Sequence, residues 1–139
     1  EEPILKNIKT WRCYNKTELK YVISNLKNLV VKEVHGSGGY GMLIGSHATK
    51  KQISHFKTKI NNNPSNYIAQ PIISLSSVPI FNKKSLSPRH VDLRPFCLVG
   101  SNSVNLVNGA LTRVALKEGS LVVNSSQGGG VKDTWVMTE

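Results

Sequence analysis

Lys32 lies in a β-branched run, Leu29-Val30-Val31-Lys32-Glu33-Val34, which leads straight into His35-Gly36-Ser37-Gly38-Gly39-Tyr40-Gly41 and a second apolar run, Met42-Leu43-Ile44. Glycines let a backbone approach a ligand closely, so successive amide N–H groups can face phosphate oxygens, and a lysine on the adjoining strand adds a point charge for the same anion. The chemistry this pattern offers is a grip on phosphate. It is not the phosphate loop that ends in Gly-Lys-Ser/Thr, because here the lysine precedes the glycines and a strand follows them. Nor is it the dinucleotide Gly-x-Gly-x-x-Gly that opens a helix. Glycine-rich tips also serve as plain turns.

A second constellation is Pro88-Arg89-His90-Val91-Asp92-Leu93-Arg94-Pro95-Phe96. Strand alternation puts His90, Asp92 and Arg94 on one face and the apolar side chains on the other. Such a row is either a surface ion pair or the polar wall of a pocket. Arg113, between Thr112 and Val114 in another apolar run, favours a pocket, since an arginine amid strand residues usually holds an anion. A third constellation, Asn124-Ser125-Ser126-Gln127-Gly128-Gly129-Gly130, offers amide and hydroxyl donors beside a second glycine loop. Val131, Trp135 and Val136 after it argue against a free tail.

The elements that must position these residues follow from periodicity. Residues 1–14 carry Ile4, Leu5, Ile8 and Trp11, an arm that could pack on a sheet. Asn15 with Glu18 resembles a capping box before a helix over residues 16–26, whose stripe is Leu19, Val22, Ile23 and Leu26. Thr49 with Gln52 repeats the signal before a second helix with Ile53, Phe56 and Ile60, stopped by Asn61-Asn62-Asn63-Pro64. Residues 67–73 read as a strand in which Pro71 points to an edge or a bulge. Residues 74–88, with Pro79, Lys83 and Lys84, read as an irregular loop. Beyond them, residues 90–99, 104–107, 111–116 and 121–123 read as a meander with turns at Asn108-Gly109 and Glu118-Gly119. The fold class is α+β: a mostly antiparallel sheet with two helices packed on one face, in a single domain over 1–139 made of a lysine/glycine-hairpin part (1–73) and a meander with the second glycine loop (88–137).

The formal net charge of +10 draws anionic partners without choosing among them. No stretch reaches the roughly 18 consecutive apolar residues that a membrane helix needs, so no membrane is expected as a partner. Cys13 and Cys97, the two cysteines present, lack metal-ligand spacing and are too few to staple the domain, which fits a reduced, cytoplasmic setting. His35, His47, His55 and His90 are not spaced as a metal site either.

Four phrases together resemble the ATP-grasp superfamily, and in particular its circularly permuted members, which are similar to carboxylate-amine ligases that form peptide bonds. They are the Val31–Met42 stretch around Lys32 and the glycine hairpin, Tyr67-Ile68-Ala69-Gln70, the Pro88–Phe96 stretch, and Leu111-Thr112-Arg113-Val114-Ala115 running on through residues 120–133. The resemblance implies that Lys32 contacts ATP phosphates and that Gly36, Ser37, Gly38, Gly39, Tyr40 and Gly41 close over them. It implies that Ala69 and Gln70 meet adenine and that Arg94 and Arg113 neutralise phosphate and acyl-phosphate charge. Asp92 would orient an arginine, and Asn124 with Gly128 and Gly129 would form the loop near the reacting groups.

The cofactors so implied are ATP and magnesium, and the partners are a nucleotide, small-molecule or peptide carboxylate and amine substrates, and the remainder of the same polypeptide. One departure stands out. The family's magnesium ligands include a Glu-x-Asn pair, and none occurs in this sequence. The chain is therefore expected to be a piece of a larger ligase, inactive alone, with the metal ligands outside it and upstream of Glu1. The rival expectation is a basic nucleic-acid-binding module without enzymatic activity, with Trp11, Tyr14, Tyr21 and Tyr40 as stacking partners. Its aromatics are few, 6% of the chain, and its bases are not gathered into one stripe.

Overall fold

A computed structural model of the chain describes residues 2–82, 85–124 and 128–137. The chain divides into two compact units, residues 1–73 and 74–139. Both are built on antiparallel sheets, and the two helices belong to the first, so the fold is α+β with two sheets where one was expected.

The first unit runs β1 (Trp11–Arg12), α1 (Lys16–Asn25), β2 (Leu29–Glu33), β3 (Leu43–Ile44), α2 (Lys50–Asn62) and β4 (Tyr67–Pro71), with sheet order β1-β4-β2-β3. Register pairs Val31 with both Leu43 and Ala69, and Ala69 with Trp11, so these residues share one face with Leu29, Glu33 and Tyr67. That face is the core. Val22 and Leu26 from the first helical segment and Ile60 from α2 are buried with Cys13, Leu29, Val31, Leu43, Tyr67 and Ala69, and Leu19, Ile23, Ile53 and Phe56 pack at its margin. Burial of these stripes is what holds helices this short, because propensity alone leaves such lengths marginal in water.

The caps differ from each other. Thr49 and Gln52 form the full reciprocal box at α2. Asn15 caps α1 by accepting from the Thr17 and Glu18 amides, but Glu18 does not return the bond to Asn15; its carboxylate takes the Arg12 amide instead and pairs with the Arg12 guanidinium at 3.7 Å. Pro71 also differs from expectation. β4 is an inner strand between β1 and β2, and Pro71 is tolerated as its last residue, opposite Leu29, where the ladder ends.

The second unit is a four-stranded meander, β5 (Ser77–Asn82), β6 (Ser85–Val99), β7 (Val104–Val114) and β8 (Gly130–Thr134). Three expectations are corrected here. The stretch read as an irregular loop forms a hairpin, β5 with the start of β6, in which Pro79 opposes Pro88; Lys83 and Lys84 lie outside the described residues. Two facing prolines remove no ladder bond when the pair is a non-hydrogen-bonded one, so the prolines masked a strand instead of preventing it. Asn108-Gly109 is no turn: β7 continues through it, and residues 107–109 oppose Phe96 alone, so the glycine marks a bulge. Residues 121–123 form no strand, and the last strand is β8, paired with β7 from Val114↔Gly130 to Ala110↔Thr134.

Candidate functional site

In the first unit the helices cover the face of Leu29, Val31 and Ala69, which leaves Val30, Lys32, Ile44, Ile68 and Gln70 on the other face, each half-buried. Lys32 and Gln70 are diagonal neighbours there, since Lys32 pairs with Ile68 and Gln70 with Val30. The Lys32 ammonium donates to Gln70 Oε1 at 2.7 Å. Among the described residues no carboxylate is ion-paired with Lys32. A neutral carboxamide brings no counter-charge and leaves the side chain two further N–H donors, which suits it to an anion.

Glu33, the next residue, points to the opposite face and braces the glycine tip from beneath. It accepts from the Tyr67 hydroxyl at 3.4 Å, and a Cβ on Gly41 would come within 3.1–3.3 Å of its carboxyl group. Gly38, Gly39 and Gly41 all adopt positive φ, and Tyr40 N–H donates to the Ser37 carbonyl at 3.3 Å. The tip thus turns on residues free of side chains while Tyr40 projects outward, 70% exposed. Burial, then the Glu33 charge and hydrogen bond, push the Tyr67 phenol above its ordinary range.

Ala69 is placed differently from Gln70. It lies between Trp11 of β1 and Val31 of β2, with its methyl fully buried on the core face. Gln70 presents its side chain on the sheet face that carries Lys32.

In the second unit Asp92 and Arg113 are cross-strand partners. Arg113 Nε donates to Asp92 Oδ1 at 2.9 Å and Nη2 donates to Oδ2, while Arg94 Nη2 reaches Oδ2 at 3.4 Å. One carboxylate therefore orients two guanidiniums on one sheet face. The hydrogen bond from Arg113 is the main cause that holds the Asp92 carboxyl below its usual range, and the same bond raises the Arg113 guanidinium further. His90, on the same strand, donates Nδ1–H to the Leu75 carbonyl at 3.2 Å, and Arg89 bonds Ser87 at 2.8 Å and the Pro88 carbonyl at 2.9 Å and pairs with Glu118 at 3.5 Å.

The second glycine loop closes on the end of β7. Gly129 N–H donates to the Asn124 carbonyl at 3.2 Å, and a Cβ there would meet the Asn124 and Val114 carbonyl oxygens at 2.6 Å, so no other residue fits; Gly128 has φ +83. Residues 125–127 of this loop lie outside the described residues. Gly129 is thereby brought to Val114, next in sequence to Arg113, with Asn124 against Gly129 and Gly128 against Leu116.

The arrangement joins Lys32 to Gln70 and Asp92 to Arg94 and Arg113. Sequence reading missed Thr10, whose hydroxyl accepts from Gln70 Nε2 at 2.9 Å across sixty residues of chain, because nothing local marks so distant a contact. The aromatics offered as stacking partners are partly occupied. Trp11 and Tyr21 stack on each other at 4.7 Å, and Arg12 covers Tyr14 at 5.4 Å. Among the described residues there is no group of three or more His, Cys, Asp or Glu that could hold a metal ion, and no helix long and apolar enough to cross a membrane.

Comparison with known proteins adds a family and a set of relatives. The family model described as circularly permuted ATP-grasp type 2 matches residues 1–115. An uncharacterized protein of Synechocystis sp. is 50% identical over 137 residues, which cover 99% of this chain and 28% of that protein. One of Mycobacterium leprae is also 50% identical, over 99% of this chain and 24% of its own length. A Frankia casuarinae protein named "Putative glutamate--cysteine ligase 2-2" is 43% identical over 136 residues, 98% of this chain and 16% of its length. The chain spans about a quarter or less of the length of these relatives.

Proposed function

This chain belongs to the circularly permuted ATP-grasp type 2 family, and from that premise we propose that it is the nucleotide-phosphate-handling part of an ATP-dependent ligase that joins a carboxylate to an amine. The observation that carries the reading is Lys32: a half-buried ammonium on the sheet face opposite the helices, paired with no carboxylate among the described residues, steadied by Gln70 and rooted beside a glycine tip. The ligase name of the Frankia relative, whose named product joins a glutamate to a cysteine, supports the reaction class.

ATP, when bound, supplies the phosphoryl group that turns a carboxylate into an acyl phosphate, from which the amine displaces phosphate as the amide forms. The chain's own groups bind and orient. Lys32 and the glycine tip of residues 36–41 face phosphate oxygens, with the Gly36 and Tyr40 N–H groups spent inside the tip on the Glu33 and Ser37 carbonyls, and Gln70 keeps Lys32 aimed at them. In the second unit Arg94 and Arg113, fixed by Asp92, offer cations suited to phosphate and acyl-phosphate charge, and the loop of Asn124, Gly128 and Gly129, in which Gly129 N–H is spent on the Asn124 carbonyl, closes on the same strand as Arg113. Positioning and electrostatic stabilisation of this kind need no protein nucleophile or base. The described residues provide no cluster fit for magnesium, so its ligands are assigned to the rest of the polypeptide. The two compact units are on this reading parts of one ATP-grasp region, which works in a reduced, cytoplasmic setting.

The test is calorimetric titration of ATP with magnesium into the whole protein that carries this chain, with and without Lys32→Ala. A strong loss of affinity in Lys32→Ala, with residual binding still measurable, is the expected result. Unchanged affinity in Lys32→Ala, together with salt-sensitive retention of single-stranded nucleic acid, replaces this reading with the basic-module one.

A further inference from the structure

We infer that Thr10 is a positioning residue for Lys32, acting through the carboxamide of Gln70; the inference rests on the nucleotide reading of Lys32 given above. Three hydrogen bonds run in series. Lys32 Nζ donates to Gln70 Oε1 at 2.7 Å, Gln70 Nε2 donates to Thr10 Oγ1 at 2.9 Å, and the Thr10 hydroxyl donates to the Ile8 carbonyl at 3.1 Å. The direction of every bond is forced. An ammonium only donates, so the carboxamide must turn its oxygen toward Lys32. Its NH2 group then faces Thr10, which must accept, and the Thr10 proton is left for a backbone carbonyl, which can only accept.

Thr10 is exposed, precedes β1 and makes no hydrogen bond with Lys32 of its own, yet its oxygen selects one of the two orientations of the Gln70 carboxamide. In the other orientation the NH2 group meets the ammonium, donor against donor, and the lysine loses the acceptor that steadies it. A long, strongly hydrated side chain with rotatable bonds depends on such an anchor to hold its charge at one place. With Thr10 in place, one Lys32 N–H is spent on Gln70 and two remain for phosphate oxygens. Thr10 therefore belongs to the nucleotide site through geometry alone, supplied by the N-terminal segment.

The experiment measures ATP affinity by calorimetry in the whole protein that carries this chain, for Thr10→Val and Thr10→Ser, each alone and combined with Lys32→Ala. Valine keeps the shape and removes the oxygen; serine keeps the oxygen. Thr10→Val is expected to weaken binding about fivefold, the factor that one neutral hydrogen bond is worth. Thr10→Ser is expected to bind like the parent, and Thr10→Val to add nothing once Lys32 is alanine. A Thr10→Val protein that binds like the parent while Lys32→Ala is weak overturns the inference and leaves the nucleotide reading standing. Equal losses from Thr10→Val with and without Lys32 assign Thr10 a general structural part and overturn it too. If Lys32→Ala itself binds like the parent, the nucleotide reading fails and the inference goes with it. Should Thr10→Val not fold, Gln70→Leu, which removes the intermediary, must reproduce the fivefold loss, and parent-like binding there is equally fatal.

Discussion

Arg113 stands directly across the β6–β7 ladder from Asp92 and takes both oxygens of its carboxylate, Nε on Oδ1 and Nη2 on Oδ2. A planar guanidinium matches a carboxylate in this side-on manner, which fixes orientation as well as charge. Arg94 shares the same carboxylate from the same strand face. Both arginines proposed to face the phosphoryl group are therefore set by one acidic residue.

Asp92→Asn is expected to destabilise the second unit by about 1–2 kcal/mol at neutral pH, the range for charge-assisted bonds that are only partly shielded from solvent. The pH dependence has a definite sign. The folded carboxyl lies below its unfolded value, about 3.9, so its contribution is present above that pH and is lost as the pH falls through the lower folded value. Melting curves of parent and Asp92→Asn between pH 7 and pH 3 should converge below about pH 4. A gap that stays constant with pH counts against the ion pair as its source.

Cys13 is fully buried and its thiol is pushed up to about 11, first by burial and then by the Glu18 charge, whereas Cys97 is exposed. The thiolate is the reactive form, so a disulfide reagent at pH 8 should titrate one thiol in the folded chain and both in denaturant. Rapid labelling of both cysteines without denaturant would mean that the first unit's core is not closed around Cys13.

Gly45 and Gly119 make a matched contrast. A Cβ on Gly45 would lie 1.8 Å from the Leu26 carbonyl oxygen, while one on Gly119, at φ +72, meets nothing within 4 Å. Gly45→Ala must move backbone against backbone and should cost about 3 kcal/mol or more, against about 1–2 kcal/mol for left-handed strain alone at Gly119→Ala. Urea unfolding followed by circular dichroism separates the two, and equal losses would refute the close approach at Gly45.

Thr49→Ala removes the oxygen that accepts from the Gln52 amide at 3.2 Å and unmakes the capping box of α2. A loss of about 1 kcal/mol is expected, recovered largely by Thr49→Ser. Hydrogen exchange of the Gln52 amide should quicken in the alanine variant alone; protection that is unchanged would show the cap to be idle.

Much of this was legible along the chain. Leu19, Val22, Ile23 and Leu26, and Ile53, Phe56 and Ile60, sit at helical spacing and are the residues that the first sheet buries or half-buries. Thr49 with Gln52 announced α2 to the residue. Errors fell where a local signal had two structural meanings. Proline marks a loop or a paired edge, and Pro79 opposite Pro88 took the second. Asn-Gly marks a turn or a bulge, and residues 107–109 took the second because Leu106 and Ala110 both found partners on β6.

The sequence by itself determined the helical stripes, the two glycine loops and the strand cations Lys32, Arg94 and Arg113, since each depends on residues a few positions apart. Only the tertiary structure decided what those cations touch. Register carried Gln70 beside Lys32 and Arg113 beside Asp92, and brought Thr10 to Gln70 across sixty residues. Pairing between distant strands is chosen by burial of whole faces, and a one-residue slip would turn every one of these side chains to the other side of its sheet.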